Sequence, residues 1–348
     1  MRTIDMNRIT PAVISLLRVN MGLKPGERVL VVADYPTGME WKEKVAADLE
    51  VMLARNLLAK KVSELARDHF PGCPVEFYAY PATGGHGVEP DEQTGDKMLQ
   101  ADVIIAITNY SLSHTKARGT ACRAGARVAS MPLFLPEMFL PGGPMDVDYL
   151  QVAEDTQKIA RRMTEAQMVT IKTGSGTNLT LNIAGRTGRE DNGLYTSPGL
   201  WGNLPAGEAY TAPVEGIGEG QLVVQAGWYR RLKENMTLYF KDGRVTAVEG
   251  GGEVGKEMIR LLGLKQEPEK FRTRRCLAEF AVGTNPHARR KDNVLEAEKI
   301  KGTVHVAIGD SSQIGGTITS DFHEDFVIPK PDVYFDGEPV IRAGEWAF

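Results

Sequence analysis

RVLVVAD, residues 28–34, is a short run of apolar and β-branched residues bounded by charged positions. Runs of the same kind recur as PVEFYAY (74–80), DVIIAIT (102–108) and RVASMP (127–132), with helical periodicity between them. Short apolar strands that alternate with helices are typical of a parallel sheet joined by crossover helices. The first half of the chain is therefore predicted to be α/β.

The segment between the first two strands, residues 40–70, shows the longest helical pattern. Apolar residues recur along one side of it, with lysines and arginines opposite, which indicates a helix lying on a sheet. The predicted apolar stripe contains Val45, Leu49, Leu53, Leu57 and Leu58.

After a helix predicted over residues 145–166, the pattern changes to alternating strands and tight turns. One hairpin is predicted around Gly174 and Gly176, and another is predicted with Asp242-Gly243 as its turn. The predicted fold class is α/β, with an N-terminal doubly wound, mostly parallel, flavodoxin-like domain over residues 1–168. A β-rich α+β metal-binding domain is predicted to follow over residues 169–348.

Composition excludes several classes of protein. The 348 residues carry 41 basic and 45 acidic side chains, a net charge of -4, which provides no cationic field for nucleic acid or an anionic membrane. No long apolar run predicts a membrane span, and no secretory signal is readable. Three scattered cysteines argue against a disulfide framework and favour a reducing compartment. We therefore predict a cytoplasmic protein.

Three predicted strands of the second half carry ionisable residues among apolar neighbours. They contain Glu279, His305, and the pair His323 and Asp325, which project to one side of their strand. Burial of such groups singly costs several kcal/mol unless each is paired, and one divalent cation satisfies several of them together. The alternative is a set of hydrogen-bonded core histidines and surface acids, and the clustering favours a metal site.

Four segments of the second half resemble, in order, the motifs of the aminopeptidase T and aminopeptidase S family of metallopeptidases. They are NLPAGEAYTAPVEGIGEG (203–220), LAEFAVGTNP (277–286), DNVLEAEKIKGTVHVAIGD (292–310) and SDFHEDFVI (320–328). The resemblance implies a hydrolase, a metallo-aminopeptidase that cleaves the N-terminal bond of a peptide substrate with a metal-activated water. It also implies two divalent ions (Zn, Co or Mn) and a homodimer.

The family motifs carry over to five metal ligands in this sequence. They are Glu208, Glu279, His305, His323 and Asp325, with Glu279 placed between the two metals. A tyrosine ligand expected seven positions beyond His305 is replaced by Ser312, and the resemblance names no general base here.

His114 and Arg118 follow the strand DVIIAIT, in a predicted loop and helix start. Open α/β sheets bind ligands at the carboxyl ends of their strands, so both residues are predicted to contact substrate. A solvated helix terminus is the alternative.

Two other functions remain open from the sequence. The same scaffold resembles a mononuclear non-haem Fe(II) dioxygenase that opens 2,5-dihydroxypyridine rings, for which His305, His323 and Asp325 would form a two-histidine, one-carboxylate set. In that enzyme the position of Glu279 resembles a histidine, so Glu279 favours the hydrolase. A catalytically silent metal-binding protein is the third alternative.

Overall fold

A computed structural model describes residues 5–348, which form two compact units. The first unit contains the chain through Gln151 together with Gly193–Ala206, and the second contains Val152–Asn192 together with Gly207–Phe348. The segment Gly193–Ala206 thus returns to the first unit after the chain has entered the second. We propose that residues 1–168 and residues 169–348 fold as two independent domains.

The described chain contains eighteen strands. They are β1 (Val29–Tyr35), β2 (Val75–Pro81), β3 (Val103–Ala106), β4 (Arg127–Ser130), β5 (Met168–Lys172), β6 (Asn178–Asn182), β7 (Arg189–Asp191), β8 (Trp201–Asn203), β9 (Glu208–Thr211), β10 (Gly218–Val224), β11 (Met236–Lys241), β12 (Arg244–Gly250), β13 (Leu277–Gly283), β14 (Val304–Gly309), β15 (His323–Ile328), β16 (Asp332–Phe335), β17 (Glu338–Arg342) and β18 (Glu345–Trp346).

Nine α-helices lie in the same residues. They are α1 (Met6–Ser15), α2 (Gly38–Glu43), α3 (Ala46–His69), α4 (Glu92–Leu99), α5 (Lys116–Arg123), α6 (Tyr149–Glu165), α7 (Gly252–Leu262), α8 (Glu269–Arg274) and α9 (Val294–Ala297). None of the helices described has an apolar stretch long enough to cross a membrane.

The first unit is built on a five-stranded sheet in the order β2-β1-β3-β4-β8, and every neighbouring pair in it is parallel. Its central strands β1 and β3 are buried along almost their whole length, as expected of strands covered on both faces. The predicted mostly parallel sheet is therefore confirmed.

The second unit contains two antiparallel sheets. One has the order β12-β11-β10-β6-β5-β16-β17-β18, and the other has the order β15-β14-β13-β9-β7. Apolar residues of both sheets, among them Ile171, Val333, Phe280 and Phe326, belong to one hydrophobic cluster. The β-rich second half is also confirmed, so the predicted fold class is correct.

The predicted apolar stripe of the long helix is correct for Leu49 and Leu58 and wrong for its other three residues. Val45, Leu53 and Leu57 are among the exposed large hydrophobic residues, and a break at residues 44–45 separates α2 from α3. The buried residues of α3 include Leu49, Met52, Leu58, Ala59, Val62, Leu65 and Ala66. Residues spaced by four throughout, such as 45, 49, 53 and 57, rotate gradually around a helix of 3.6 residues per turn. A face that stays against a sheet instead combines spacings of three and four.

Both predicted hairpins form. β5 and β6 pair on either side of Gly174 and Gly176, and β11 pairs with β12. In the second turn Asp242 and Gly243 have φ values of 48° and 66°, the left-handed conformation that a two-residue turn of this kind requires at both positions.

Candidate metal centre

Strands β13, β14 and β15 present four of the predicted ligands on one face. Glu279 lies opposite Ala307, which lies opposite Asp325, so these three residues form one row across the sheet. His305 lies opposite Ala281 in the next row. Because side chains alternate along a strand and align across neighbouring strands, the four polar groups share one face.

Small residues between the ligands keep this face open. His323 lies opposite Gly309, and Ala281 and Ala307 are fully buried. A Cβ on Gly309 would lie 2.0 Å from the carbonyl oxygen of Phe322, and the φ of Gly309 is +113°. Glycine is therefore required where β14 approaches the start of β15.

The opposite face of the same strands fixes their register. Phe280, Val306 and Phe326 are fully buried in the hydrophobic cluster of the second unit. Burying each such side chain stabilises the fold by about 1.5–3 kcal/mol. A slip of one residue would turn these side chains to the ligand face, so the apolar face holds the polar face in place.

The fifth predicted ligand comes from β9, the next strand of this sheet. Glu208 lies opposite Gly283 of β13, and Asp191 of β7 lies opposite Glu208. Glu208 is buried. Tyr210 follows two residues later on the same face, and no pattern in the sequence indicated it.

The structure brings all five predicted ligands together. The Nε2 atom of His305 lies 3.7 Å from Glu208 Oε2, 3.7 Å from Glu279 Oε1 and 4.0 Å from Asp325 Oδ1. The Nε2 atom of His323 lies 3.3 Å from Glu279 Oε2 and 3.5 Å from Asp325 Oδ1. Glu279, His323 and Asp325 each place a ligand atom within 4.8 Å of those of the other two.

The ring of His323 is oriented by the backbone. Its Nδ1 atom lies 2.7 Å from the carbonyl oxygen of Asp310, which accepts a hydrogen bond from that nitrogen. The proton is then held on Nδ1, and Nε2 faces Glu279 and Asp325 with a free lone pair in the neutral ring. A backbone carbonyl on the second ring nitrogen is the usual support of a metal-binding histidine.

The groups of this centre perturb one another's pKa values strongly. Burial alone lowers the pKa of His305, but its contact with Glu279 and the charges of Glu208 and Asp325 raise it to about 9. The pKa of His323 is likewise raised, because Asp325 and Glu279 outweigh its burial. Burial opposes the ionisation of Glu279, yet the two imidazoles hold its pKa well below the usual range. In the metal-free protein, His305 and His323 are therefore protonated at neutral pH.

The residues fit a divalent cation. Glu208 Oε2 is buried and has no hydrogen-bond partner in residues 5–348, although it lies on the ligand face. A buried carboxylate oxygen without a donor is costly, and a cation compensates that cost for several ligands together. Imidazole and carboxylate ligands suit Zn, Fe, Co or Mn.

Lys299 is another residue of this centre that sequence reasoning missed. Its side chain is 4% exposed, and its Nζ atom lies 2.5 Å from Glu208 Oε1. A lysine is not a metal ligand, so the motif EKIKGTVH gave no reason to place it here. Ser312, at the position of the expected tyrosine ligand, is exposed and donates to Asp310 Oδ1 at 2.8 Å.

The two predicted substrate contacts lie in the first unit, where α5 begins as expected. The guanidinium carbon of Arg118 lies 3.7 Å from the ring centroid of Trp201, and His114 meets the same ring edge-on at 6.1 Å. These three residues, with Lys116 and Arg123, line a pocket of about 430 Å³. The pocket combines an aromatic wall with cationic side chains.

Residues 19–347 match the profile of the NicX family, described as 2,5-dihydroxypyridine 5,6-dioxygenase. The solved structure of the 2,5-dihydroxypyridine dioxygenase from Pseudomonas putida is 17% identical, with a TM-score of 0.71, and the match covers 99% of this chain and 98% of that one. Wild-type AmpT from Thermus thermophilus is 16% identical, with a TM-score of 0.62, over 98% of this chain and 99% of that one. No curated protein sequence matches the chain.

These matches correct the predicted activity. The resemblance to the aminopeptidases is confirmed only at the level of the fold, which AmpT shares. The predicted hydrolase, a metallo-aminopeptidase acting on peptides, is wrong, because the family profile spanning nearly the whole chain is that of a dioxygenase. Glu279, which favoured the hydrolase in the sequence, therefore does not decide the reaction.

Proposed function

Because the chain belongs to the NicX family of 2,5-dihydroxypyridine 5,6-dioxygenases, we propose that it is a mononuclear non-haem Fe(II) dioxygenase that opens a dihydroxylated pyridine ring. The observation that carries the proposal is the convergence of Glu279, His323 and Asp325, whose ligand atoms lie within 4.8 Å of one another, with His305 Nε2 4.0 Å from Asp325 Oδ1. Two histidines and a carboxylate with open positions are the ligand set of non-haem Fe(II) oxygenases.

The proposed ligands are the Nε2 atoms of His305 and His323 and Oδ1 of Asp325. Glu279 supplies a further carboxylate, since its two oxygens lie 3.7 Å and 3.3 Å from the two imidazoles. The carbonyl of Asp310 holds the ring of His323 in the ligating orientation. The metal count of this proposal is one, in place of the two ions that the peptidase resemblance implied.

Ring opening by a dioxygenase balances without an outside reductant. The C5–C6 bond of the ring breaks, both atoms of O₂ are added at the two carbons, and the substrate supplies the electrons that reduce O₂. Bound Fe(II) would supply the one-electron chemistry that dioxygen requires. The side chains of the protein would orient the ring and donate hydrogen bonds to it.

Tyr210 is proposed to act on the substrate through its hydroxyl. It lies on the ligand face, and burial together with the charges of Asp191 and Glu208 raises its pKa, so the hydroxyl stays protonated. A protonated phenol beside the carboxylates can donate a hydrogen bond to an oxygen atom of the substrate.

His114 and Arg118 remain proposed substrate contacts. The support for this role is the pocket that they line with Trp201, whose ring already stacks on a planar cation and suits a flat heteroaromatic group. A homodimer, implied only by the peptidase resemblance, also remains a proposal, and light scattering of the purified chain tests it.

The test is oxygen consumption by protein reconstituted anaerobically with Fe(II) and supplied with 2,5-dihydroxypyridine. We expect O₂ uptake that depends on substrate and iron, and a loss of at least about a hundredfold in turnover for His323→Gln and Asp325→Asn, which remove ligands. Ser312→Ala is the matched control, because Ser312 is an exposed residue close in sequence. Absence of uptake by the iron-loaded protein, or full turnover by both ligand variants, would refute the proposal.

A further inference from the structure

We propose that the ammonium group of Lys299 permanently occupies a second cation position beside the metal ligands, so that the centre holds one metal ion per chain. The inference rests on the proposed function only in placing a single metal at the histidines and Asp325. In this proposal, the positive charge of Lys299 is what limits the centre to one metal ion.

Three carboxylates surround the ammonium group. The Nζ atom of Lys299 lies 2.5 Å from Glu208 Oε1, 3.5 Å from Glu298 Oε2 and 3.8 Å from Asp191 Oδ2. The lysine side chain is 4% exposed, and the three acids are 10–16% exposed. A buried point with three carboxylate oxygens around it is a cation site by charge, and here a side chain of the protein occupies it.

The fold places Lys299 at this point firmly. Gly283 lies opposite Glu208, and a Cβ on it would lie 2.2 Å from the carbonyl oxygen of Ile300. The missing side chain lets the segment that carries Lys299 lie directly against the sheet. Two backbone hydrogen bonds hold the segment there, from Asn285 N to Lys299 O at 2.9 Å and from Gly283 N to Thr303 O at 3.1 Å.

Glu208 faces two cation positions, one with each carboxylate oxygen. Its Oε1 contacts Lys299, whereas its Oε2 lies 3.7 Å from His305 Nε2 and has no hydrogen-bond partner among the described residues. In two-metal sites the ions lie about 3.5–4 Å apart, so one carboxylate readily contacts both. Lys299 stands where the second ion would lie, and a further divalent ion there would be repelled by the ammonium charge at short range.

The test is the number of metal ions bound per chain, measured on the full chain with Mn²⁺ as the probe. Metal-free protein is loaded with excess Mn²⁺, freed of unbound ion by gel filtration, and analysed for metal and by electron paramagnetic resonance. For the wild type we expect one ion per chain with the spectrum of an isolated Mn²⁺.

Lys299→Met removes the charge at similar length, and we expect a second ion and the spectrum of two coupled ions. Lys299→Arg, which keeps the charge, is the matched control and is expected to bind one. The double variant Lys299→Met with Glu208→Gln, which removes both the cation and its main partner, is also expected to bind one. Circular dichroism of each metal-free variant establishes that it is folded.

Two coupled ions in the wild type, or one ion in a folded Lys299→Met variant, would overturn the inference. Should Lys299→Met fail to fold, the wild-type count decides, because two ions there contradict the inference without any variant. The outcome is separable from that of the proposed function: one ion without oxygen uptake retains the inference, whereas two ions with oxygen uptake retain only the dioxygenase.

Discussion

Raising the pH of the metal-free protein should destabilise its second unit. The pKa of His305 is about 9 in the folded chain, against 6.5 for an ordinary histidine, because neighbouring carboxylates favour the protonated ring over the effect of burial. A group whose pKa is raised by folding contributes stability that is complete below the unfolded value and is lost as the pH rises through the folded value. The loss should therefore fall between pH 6.5 and about 9.

The expected magnitude follows from the same pKa. Since one pKa unit corresponds to about 1.4 kcal/mol, His305 contributes about 3 kcal/mol to the free energy of unfolding at pH 6.5 and below. Glu298 acts in the same direction, because burial and the charge of Asp325 raise its pKa to about 8. The pKa values of Glu279 and Asp325 are lowered by the imidazoles, so these acids stay ionised throughout this range.

The assay is urea unfolding of chelator-treated protein at several pH values from 6.5 to 9, followed by tryptophan fluorescence. We expect the free energy of unfolding to fall by at least about 3 kcal/mol across the range for the wild type, since Glu298 and His323 add to the contribution of His305. The His305→Gln variant, which cannot be protonated, should have a clearly flatter profile. A wild-type stability that is constant or rises over this range would refute the charge arrangement described for the centre.

Three other predictions concern proton release on metal binding, the close approach at Gly283 and the contact of Arg118 with Trp201. Metal affinity should rise with pH over the range in which apo stability falls, because the ligating imidazoles must lose their protons, and calorimetry in two buffers should register proton release on binding. Gly283→Ala should destabilise the chain by about 1–3 kcal/mol, since its Cβ would lie 2.2 Å from Ile300 O; Gly174→Ala, with nothing within 4 Å, is the control, and equal melting temperatures would contradict the close approach. Arg118→Ala should cost about 1 kcal/mol through the lost stacking on Trp201, and an unchanged denaturation midpoint would count against that contact.

Features that depend on local chemistry were predictable from the sequence. The turn at Asp242-Gly243 was identified because a two-residue hairpin needs left-handed residues, and alternation placed His323 and Asp325 on one side of β15. The buried face of α3 was not predictable, because Val45 and Leu53 fit the apolar spacing of a helix but are exposed. On a long helix, tertiary packing decides which of several apolar residues face the sheet.

The remainder of the centre depends on contacts distant in sequence. Strand register decides that Glu279 and Asp325 lie in one row, and only the family resemblance indicated Glu208. Lys299 was not predictable, because its position results from the close approach of its segment to Gly283. Ligand types alone also did not select the reaction, since the same acids and imidazoles suit a hydrolase and a dioxygenase.

Ring opening by dioxygen is tested most directly by the source of the oxygen atoms in the product. Iron-reconstituted protein is incubated with 2,5-dihydroxypyridine under isotopically heavy dioxygen, and the product is analysed by mass spectrometry. We expect a ring-opened product that carries both heavy oxygen atoms, and an amount of product that scales with the iron bound, up to one ion per chain. Unchanged substrate, or a product that takes its oxygen from water, would contradict it.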